Sequence, residues 1–278
     1  MPGIRIDRFD DPRIQDYRNV SDAELLRRRG LFVAEGRLGV HRLLSSSYDI
    51  VSLLLNDASF RALEPSLSAI MARTPVYICD TGDFGSITGF NLHRGCLALA
   101  RRPPDRSPLD IADSSGLVLV LEGVTDAANV GSVFRNAAAF GAGAVLLSPT
   151  CCDPLYRKAI RTSMGSALYV PHARLQNWPA DLEMLKSRGF AVLALTPRDS
   201  AIDLREYATR RHHSTASARP VPVERRARLA LLIGSEGPGL TSEAEAMADI
   251  CVRIPIRAEV DSLNLATAAG IALYCLAP

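Results

Sequence analysis

Four short segments of this 278-residue chain bring together residue types that can do chemistry on a bound ligand. In the first, Asn129, Gly131 and Arg135 stand in the spacing N-x-G-x-x-x-R. Asn129 offers an amide, and Arg135 a permanently charged, five-donor fork that suits phosphate. Val133 and Ala137 lie one helical turn apart, with Phe140 three residues further on. Arg135, about 200° around from Val133 at 100° per residue, therefore points away from the packed face, and is either a solvated helix charge or a ligand contact.

The second segment runs Gly234-Ser235-Glu236-Gly237-Pro238-Gly239-Leu240-Thr241. Its glycines let backbone N–H groups approach a ligand without Cβ obstruction. The spacing G-x-x-G-x-G matches neither the dinucleotide fingerprint nor a Walker loop. Glu236 either bonds the turn's own backbone or faces a ligand, and Thr241 is placed to cap the helix that follows. In the third segment, Ile254-Pro255-Ile256 leads to Asp261-Ser262-Leu263-Asn264. Asp261 or Ser262 is expected to cap the next helix. Asn264 is a poor helix residue and costs less when its amide meets a specific partner. The fourth segment, Arg161-Thr162-Ser163-Met164-Gly165-Ser166-Ala167, sets small hydroxyl residues around a glycine and permits close approach of backbone or ligand.

Such segments need a frame that turns sharply after buried strands. Downstream of the centre, LVLVL (117–121), AVLLS (144–148), FAVLAL (190–195), LALLI (229–233) and CVRIPI (251–256) read as strands separated by helices. Strands apolar on both faces predict a mainly parallel, covered sheet of the α/β class. Residues 117–147 form a βαβ unit, so a functional Arg135 would sit beyond the carboxyl end of a parallel strand, where open α/β sheets place ligands. The final Ala-rich helix has Leu265, Ala269, Ala272, Leu273 and Leu276 as its expected core stripe. Upstream, IVSLLLN (50–56), PVYIC (75–79) and CLALA (96–100) alternate with helical periods at Ala23–Arg29, Arg37–Leu44 and Phe60–Ala72. The Pro- and charge-rich seam at 101–108 divides the chain into an expected domain over 1–105 and another over 106–278. Residues 200–228, rich in Arg, Ser and Pro, predict a basic surface insertion, either a solvated loop or an arm touching RNA phosphates through Arg210, Arg211, Arg219, Arg225, Arg226 and Arg228.

At 47% hydrophobic and 22% charged, the composition excludes a disordered or fibrous chain. No apolar run approaches the roughly 18 residues of a membrane span, and the absence of an apolar leader predicts a cytoplasmic protein. A net charge of +2 names no partner, yet of the 32 basic residues only Lys158 and Lys186 are lysines. Guanidinium suits RNA, and a GC-rich genome produces the same skew. The six cysteines show no C-x-x-C pair, so no metal is expected. Cys79, Cys96, Cys251 and Cys275 read as core residues, and Cys151-Cys152 as partly exposed.

In order, N-x-G-x-x-x-R, R-x-S-x-G-S-A, I-G-S-E-G-x-G-L and I-P-I-x(5)-S-L-N-x(3)-A closely resemble the SpoU family of RNA ribose 2′-O-methyltransferases, within the SPOUT class, over residues 117–276. The amino-terminal stretch 25–44 resembles that family's substrate-binding domain, an α/β domain like a ribosomal RNA-binding protein, through Phe32, Glu35 and Gly36 of F-x-x-E-G. The resemblance implies a trefoil-knotted domain that binds S-adenosyl-L-methionine and assembles as a homodimer. It implies catalytic roles for Asn129, Arg135, Glu236 and Asn264, and cofactor contacts from Thr196, Gly234, Ile254, Ser262 and Leu263. Two places depart from the family pattern: no proline follows Asp126, and the stretch before the glycine turn is long. The implied activity is methylation of a ribose hydroxyl in RNA. The separate amino-terminal domain and the end of the chain just after the last motif favour ribosomal RNA over tRNA, and an RNA-binding protein without catalysis is the alternative from another class.

Overall fold

The structure, a computed structural model, describes residues 3–8, 10–18, 21–80, 95–215, 228–257 and 259–277, the side chains of 212–215 excepted. The chain forms two compact units, Met1–Pro104 with Asp153–Tyr169, and Asp105–Cys152 with Val170–Pro278.

The first unit is built on a mixed sheet of five strands, β1 (Ile4–Arg5), β2 (Leu31–Glu35), β3 (Ile50–Leu55), β4 (Val76–Ile78) and β5 (Cys96–Arg101), in the order β1-β4-β3-β5-β2. β5 runs antiparallel to β2 and β3, while β1 and β3 run parallel to β4. β2 is absent from the sequence reading because LFVA shows no alternation. The cause is burial on both faces: Phe32 and Ala34 enter one core and Leu31 and Val33 the other. The helix Asp22–Arg29 has Ser21 as its cap and left-handed Gly30 after it. The helix Arg37–Leu44 coincides with its expected span, and the next runs Asp57–Leu67, capped by Asn56.

The second unit carries a wholly parallel sheet of seven strands: β6 (Leu117–Leu121), β7 (Ala144–Leu147), β8 (His172–Arg174), β9 (Phe190–Leu195), β10 (Ile202–Asp203), β11 (Arg228–Ile233) and β12 (Ile250–Arg253). Their order is β10-β12-β9-β11-β6-β7-β8. β11 therefore lies between β6 and β9, with Ile233 registered against Leu121 on one side and Leu195 on the other. β12 stops at Arg253, short of the expected Ile256, since Pro255 has no N–H for a ladder. The last helix, Leu265–Leu276, buries Leu265, Ala269, Ala272, Leu273 and Leu276, the expected stripe.

Two expectations about exposed regions are corrected. Residues 200–228 are not one irregular insertion, because Ile202–Asp203 is a strand and Leu204–Thr215 a helix that buries Leu204 and Ala208. Of the proposed arm, Arg219, Arg225 and Arg226 lie outside the described residues. Arg228 begins β11 and donates to the Ser115, Ala112 and Arg188 carbonyls while its guanidinium stacks 4.2 Å from the Phe190 ring centroid. That guanidinium is a structural fastening, not a phosphate contact. Cys151 and Cys152 are both buried rather than partly exposed. The Cys151 thiol donates to the Leu121 carbonyl at 3.1 Å, so this pair packs against the end of β6. Among the described residues no helix is long and apolar enough to cross a membrane.

Burial pushes the Cys96 thiol, at the start of β5 in the core of the first unit, up to about 12. Because the thiolate is the nucleophile, iodoacetamide at mildly alkaline pH should leave Cys96 unmodified in the native protein and alkylate it after denaturation, as read by peptide mass spectrometry. Equal modification in both states would contradict its burial.

Candidate active site

Because every strand of the second sheet runs the same way, the loops that follow the strands collect at one edge. There a cavity of about 290 Å³ opens past the carboxyl ends of three adjacent strands. Leu195, Thr196 and Pro197 line it from β9, Ile233 to Gly237 and Gly239 from β11, and Ile254 and Ile256 from β12. The start of the last helix closes it with Ser262, Leu263, Asn264, Leu265 and Ala268. The strand order reverses between β6 and β9, and such switch points are where open parallel sheets leave a crevice.

Thr196 is buried, and its N–H donates to the Val252 carbonyl at 3.0 Å, which fixes the wall between β9 and β12. The turn after β11 is pinned by Gly239 N–H donating to the Ser235 carbonyl at 3.1 Å. A Cβ on Gly234 would stand 2.1 Å from the Gly239 carbonyl carbon. Only glycine permits that approach.

Across the cavity mouth, Asn264 Nδ2 donates to Glu236 Oε1 at 2.9 Å. Asn264 Oδ1 accepts from the N–H groups of Ala266 and Thr267 at 3.0 and 3.2 Å, so Asn264 itself is the cap of the last helix. The expected caps Asp261 and Ser262 do not fill that position, which leaves the Ser262 hydroxyl on the cavity wall. Both ends of the Asn264 amide are thus committed, and Glu236 is tied to the opposite wall of the cavity.

Asn129 and Arg135 lie on the helix Ala127–Phe140, capped by Asp126 and ended by left-handed Gly141. Val133 and Ala137 are buried and Arg135 is exposed, as the helical period required, whereas Phe140, the third residue expected on that face, is only half-buried. Neither residue lines the cavity. The structure therefore gathers Thr196, Gly234, Glu236, Ile254, Ser262, Leu263 and Asn264 around one space and leaves Asn129 and Arg135 outside its wall. Among the described residues no His, Cys, Asp or Glu cluster could hold a metal ion.

One positioning residue escaped the sequence reading. Glu122, directly after β6, is buried; its Oε1 accepts from Trp178 Nε1 at 2.6 Å and Thr241 Oγ1 at 2.7 Å, and its Oε2 from Thr241 N–H at 2.9 Å. The carboxylate thereby ties the end of β6 to the exit of the glycine turn. The available signal was an acid closing a wholly apolar strand, since such a group must find donors when buried. Replacing Glu122 by alanine strands the Trp178 and Thr241 donors and should destabilise the protein by about 1–3 kcal/mol. Denaturant unfolding followed by the fluorescence of Trp178, the single tryptophan, reads this directly.

The profile of the SpoU rRNA Methylase family matches residues 116–274. An uncharacterized tRNA/rRNA methyltransferase of Mycobacterium tuberculosis is 41% identical over 269 residues, covering 95% of this chain and 88% of its own. A 23S rRNA (guanosine-2′-O-)-methyltransferase of Burkholderia is 29% identical over 78% of this chain and 82% of its own. In fold, the AdoMet-bound rRNA methyltransferase of Sinorhizobium meliloti aligns with a TM-score of 0.77 at 24% identity, over 98% of this chain and 96% of that one. The profile spans more than half the chain, takes in every residue that lines the cavity, and agrees with a relative matched almost end to end: this chain belongs to the SpoU rRNA methylase family of RNA methyltransferases.

Proposed function

We propose that the protein transfers the methyl group of S-adenosyl-L-methionine to a ribose 2′-hydroxyl of RNA, with ribosomal RNA as the substrate. The observation that carries this reading is the cavity past β9, β11 and β12, walled by the residues that the family pattern assigns to the cofactor. Its donor set fits that group. Ile233, Ile254, Ile256 and Leu263 give apolar surface for an adenine ring, while open backbone at Gly234 and the Ser262 hydroxyl give polar contacts. Bound there, S-adenosyl-L-methionine supplies an electrophilic methyl on a sulfonium that leaves as a neutral thioether, so no acid is needed.

This chain's part is to align a hydroxyl oxygen, ease the loss of its proton and exclude competing water. As a guanidinium, Arg135 is a poor base. Its role is to hold the neighbouring phosphate and stabilise the developing alkoxide. Asn129, a turn and a half earlier on the same helix, orients the ribose by hydrogen bonds. Glu236 and Asn264 brace the cavity mouth through their mutual hydrogen bond. Ribosomal RNA is favoured over tRNA by the Burkholderia relative, a 23S rRNA 2′-O-methyltransferase.

Assembly as a homodimer is part of this reading. Tyr274 is 75% exposed and Ile271 stands beside it on the last helix, while the Phe140 ring packs edge-on to Tyr274 at 6.1 Å. A second copy covering that face would bury an otherwise wet aromatic pair next to the helix that bears Arg135. Tyr274→Glu should then shift sedimentation from dimer to monomer; an unchanged monomeric wild type would remove the dimer from the proposal.

The decisive experiment is labelled methyl transfer from S-adenosyl-L-methionine to total RNA of a strain lacking this protein. The product should resist alkaline cleavage at one ribosomal position, as 2′-O-methylated linkages do. Label confined to tRNA, or to a base, would overturn the stated substrate. Arg135→Ala should lower the transfer rate by about a hundredfold or more and leave cofactor binding by calorimetry unchanged. Full residual activity would remove Arg135 from the chemistry.

A further inference from the structure

The segment Arg161–Ala167 takes no part in the cavity. Within the first unit it ends the helix Arg157–Thr162 with two consecutive residues in left-handed backbone, Met164 at φ 52° and Gly165 at φ 81°. That conformation is disfavoured for a residue with a Cβ, yet here it presents Met164 with 41% of its surface exposed. A Cβ on Gly165 would come within 2.7 Å of Arg42 Cδ, so the glycine lets the Arg42 side chain lie against this turn. Arg42 Nη1 donates to the Tyr169 hydroxyl at 3.0 Å, and its guanidinium carbon sits 5.1 Å from the Tyr169 ring centroid. Ser166 Oγ shares the same hydroxyl at 3.0 Å. The ring is thus held at its polar end, and the residue is still 54% exposed.

Arg42 differs from its neighbours in charge pairing. Arg157 Nε donates to Asp22 at 2.5 Å and Arg161 to Glu35 at 3.1 Å, whereas Arg42 pairs with no carboxylate among the described residues. A half-exposed aromatic ring fixed at its hydroxyl end, with a guanidinium over it that no described carboxylate neutralises, matches the chemistry of a base and its phosphate. The base must be unpaired, because in a duplex its faces are already stacked. The exposed apolar residues on the same segments, Leu38 one turn before Arg42 on its helix and Met164 in the turn, are single side chains, less than a stable protein partner requires.

We infer that Tyr169 and Arg42 form a stacking platform for an unpaired nucleobase of the RNA substrate, an assignment that rests on the RNA methyltransferase reading above. The ring takes the base, the guanidinium takes the adjoining phosphate, and the left-handed turn at Met164 and Gly165 sets their spacing. No bond is made or broken there, so the platform governs substrate affinity and leaves the methyl-transfer step itself untouched.

The test uses the full chain and a fluorescein-labelled single-stranded RNA of mixed sequence, with the same sequence annealed into a duplex as comparison. Tyr169→Ala and Arg42→Ala should each weaken single-strand binding by about fivefold or more, while Tyr169→Phe, which keeps the ring, stays near wild type. Ultraviolet cross-linking of a 4-thiouridine version of the same RNA should label the peptide containing Tyr169, a readout that a merely structural tyrosine would not give. Equal affinity for wild type and Tyr169→Ala with cross-links elsewhere overturns the platform; if methyl transfer to ribosomal RNA persists in that case, the enzymatic reading stands without it. A wild type that binds neither RNA form overturns both. A Tyr169→Ala protein that changes its sedimentation instead of its RNA affinity assigns the patch to a second copy of the chain and overturns the platform.

Discussion

Everything at the cavity depends on one central strand. β11 is hydrogen-bonded on both sides, to β6 and to β9, and Leu229 to Ile233 are all buried. A strand so enclosed can carry no polar side chain without a partner, because an unpaired polar group in that interior costs several kcal/mol. The chain is therefore apolar until it leaves the sheet, and its polar and flexible residues appear together as soon as it emerges. Gly234, Ser235 and Glu236 are that emergence. The neighbouring strands obey the same rule, which is why Glu122 follows β6 and Thr196 follows β9.

The walls are then joined by a few hydrogen bonds whose partners lie far apart in sequence. Glu122 links the end of β6 to Thr241, and Glu236 links the glycine turn to Asn264, 28 residues away. Asn264 shows how economically one side chain is used: its oxygen caps a helix while its nitrogen holds the opposite wall. An asparagine that only capped would leave its nitrogen in water, and one that only reached across would leave the first turn of the helix unsatisfied. The cavity is thereby preorganised, and ordering entropy is spent in folding rather than at binding.

Arginine does different work according to what surrounds it. Arg228 is immobilised by three backbone carbonyls and the Phe190 ring, and its charge belongs to the architecture. Arg157 and Arg161 are paired with carboxylates. Among the described residues neither Arg135 nor Arg42 bonds a carboxylate or a backbone carbonyl, Arg42 being held only by Tyr169 and Ser166, and these are the guanidiniums proposed to contact RNA. A nearly uniform arginine composition thus hides a division between fastening and recognition that only the partners reveal.

Much of this was legible in the sequence. The apolar runs at 117–121, 190–195 and 229–233, the helix carrying Arg135, and the five-residue stripe of the last helix all follow from periodicity, because burial demands the same residue types wherever it occurs. The motifs marked Gly234, Glu236, Ser262 and Asn264 as a group. Sequence could not find β2, whose two buried faces erase alternation, nor the short strands β8 and β10, whose pairing is set by distant neighbours. It could not say that Asn264 rather than Asp261 or Ser262 caps its helix, since all three are competent caps and only the chain path selects one. It placed Arg228 in a basic arm, and tertiary contact turned it into a clamp. Local residue chemistry determined which segments are strands, turns and polar tips; the order of the strands in the sheet, a property of no single segment, decided which tips meet.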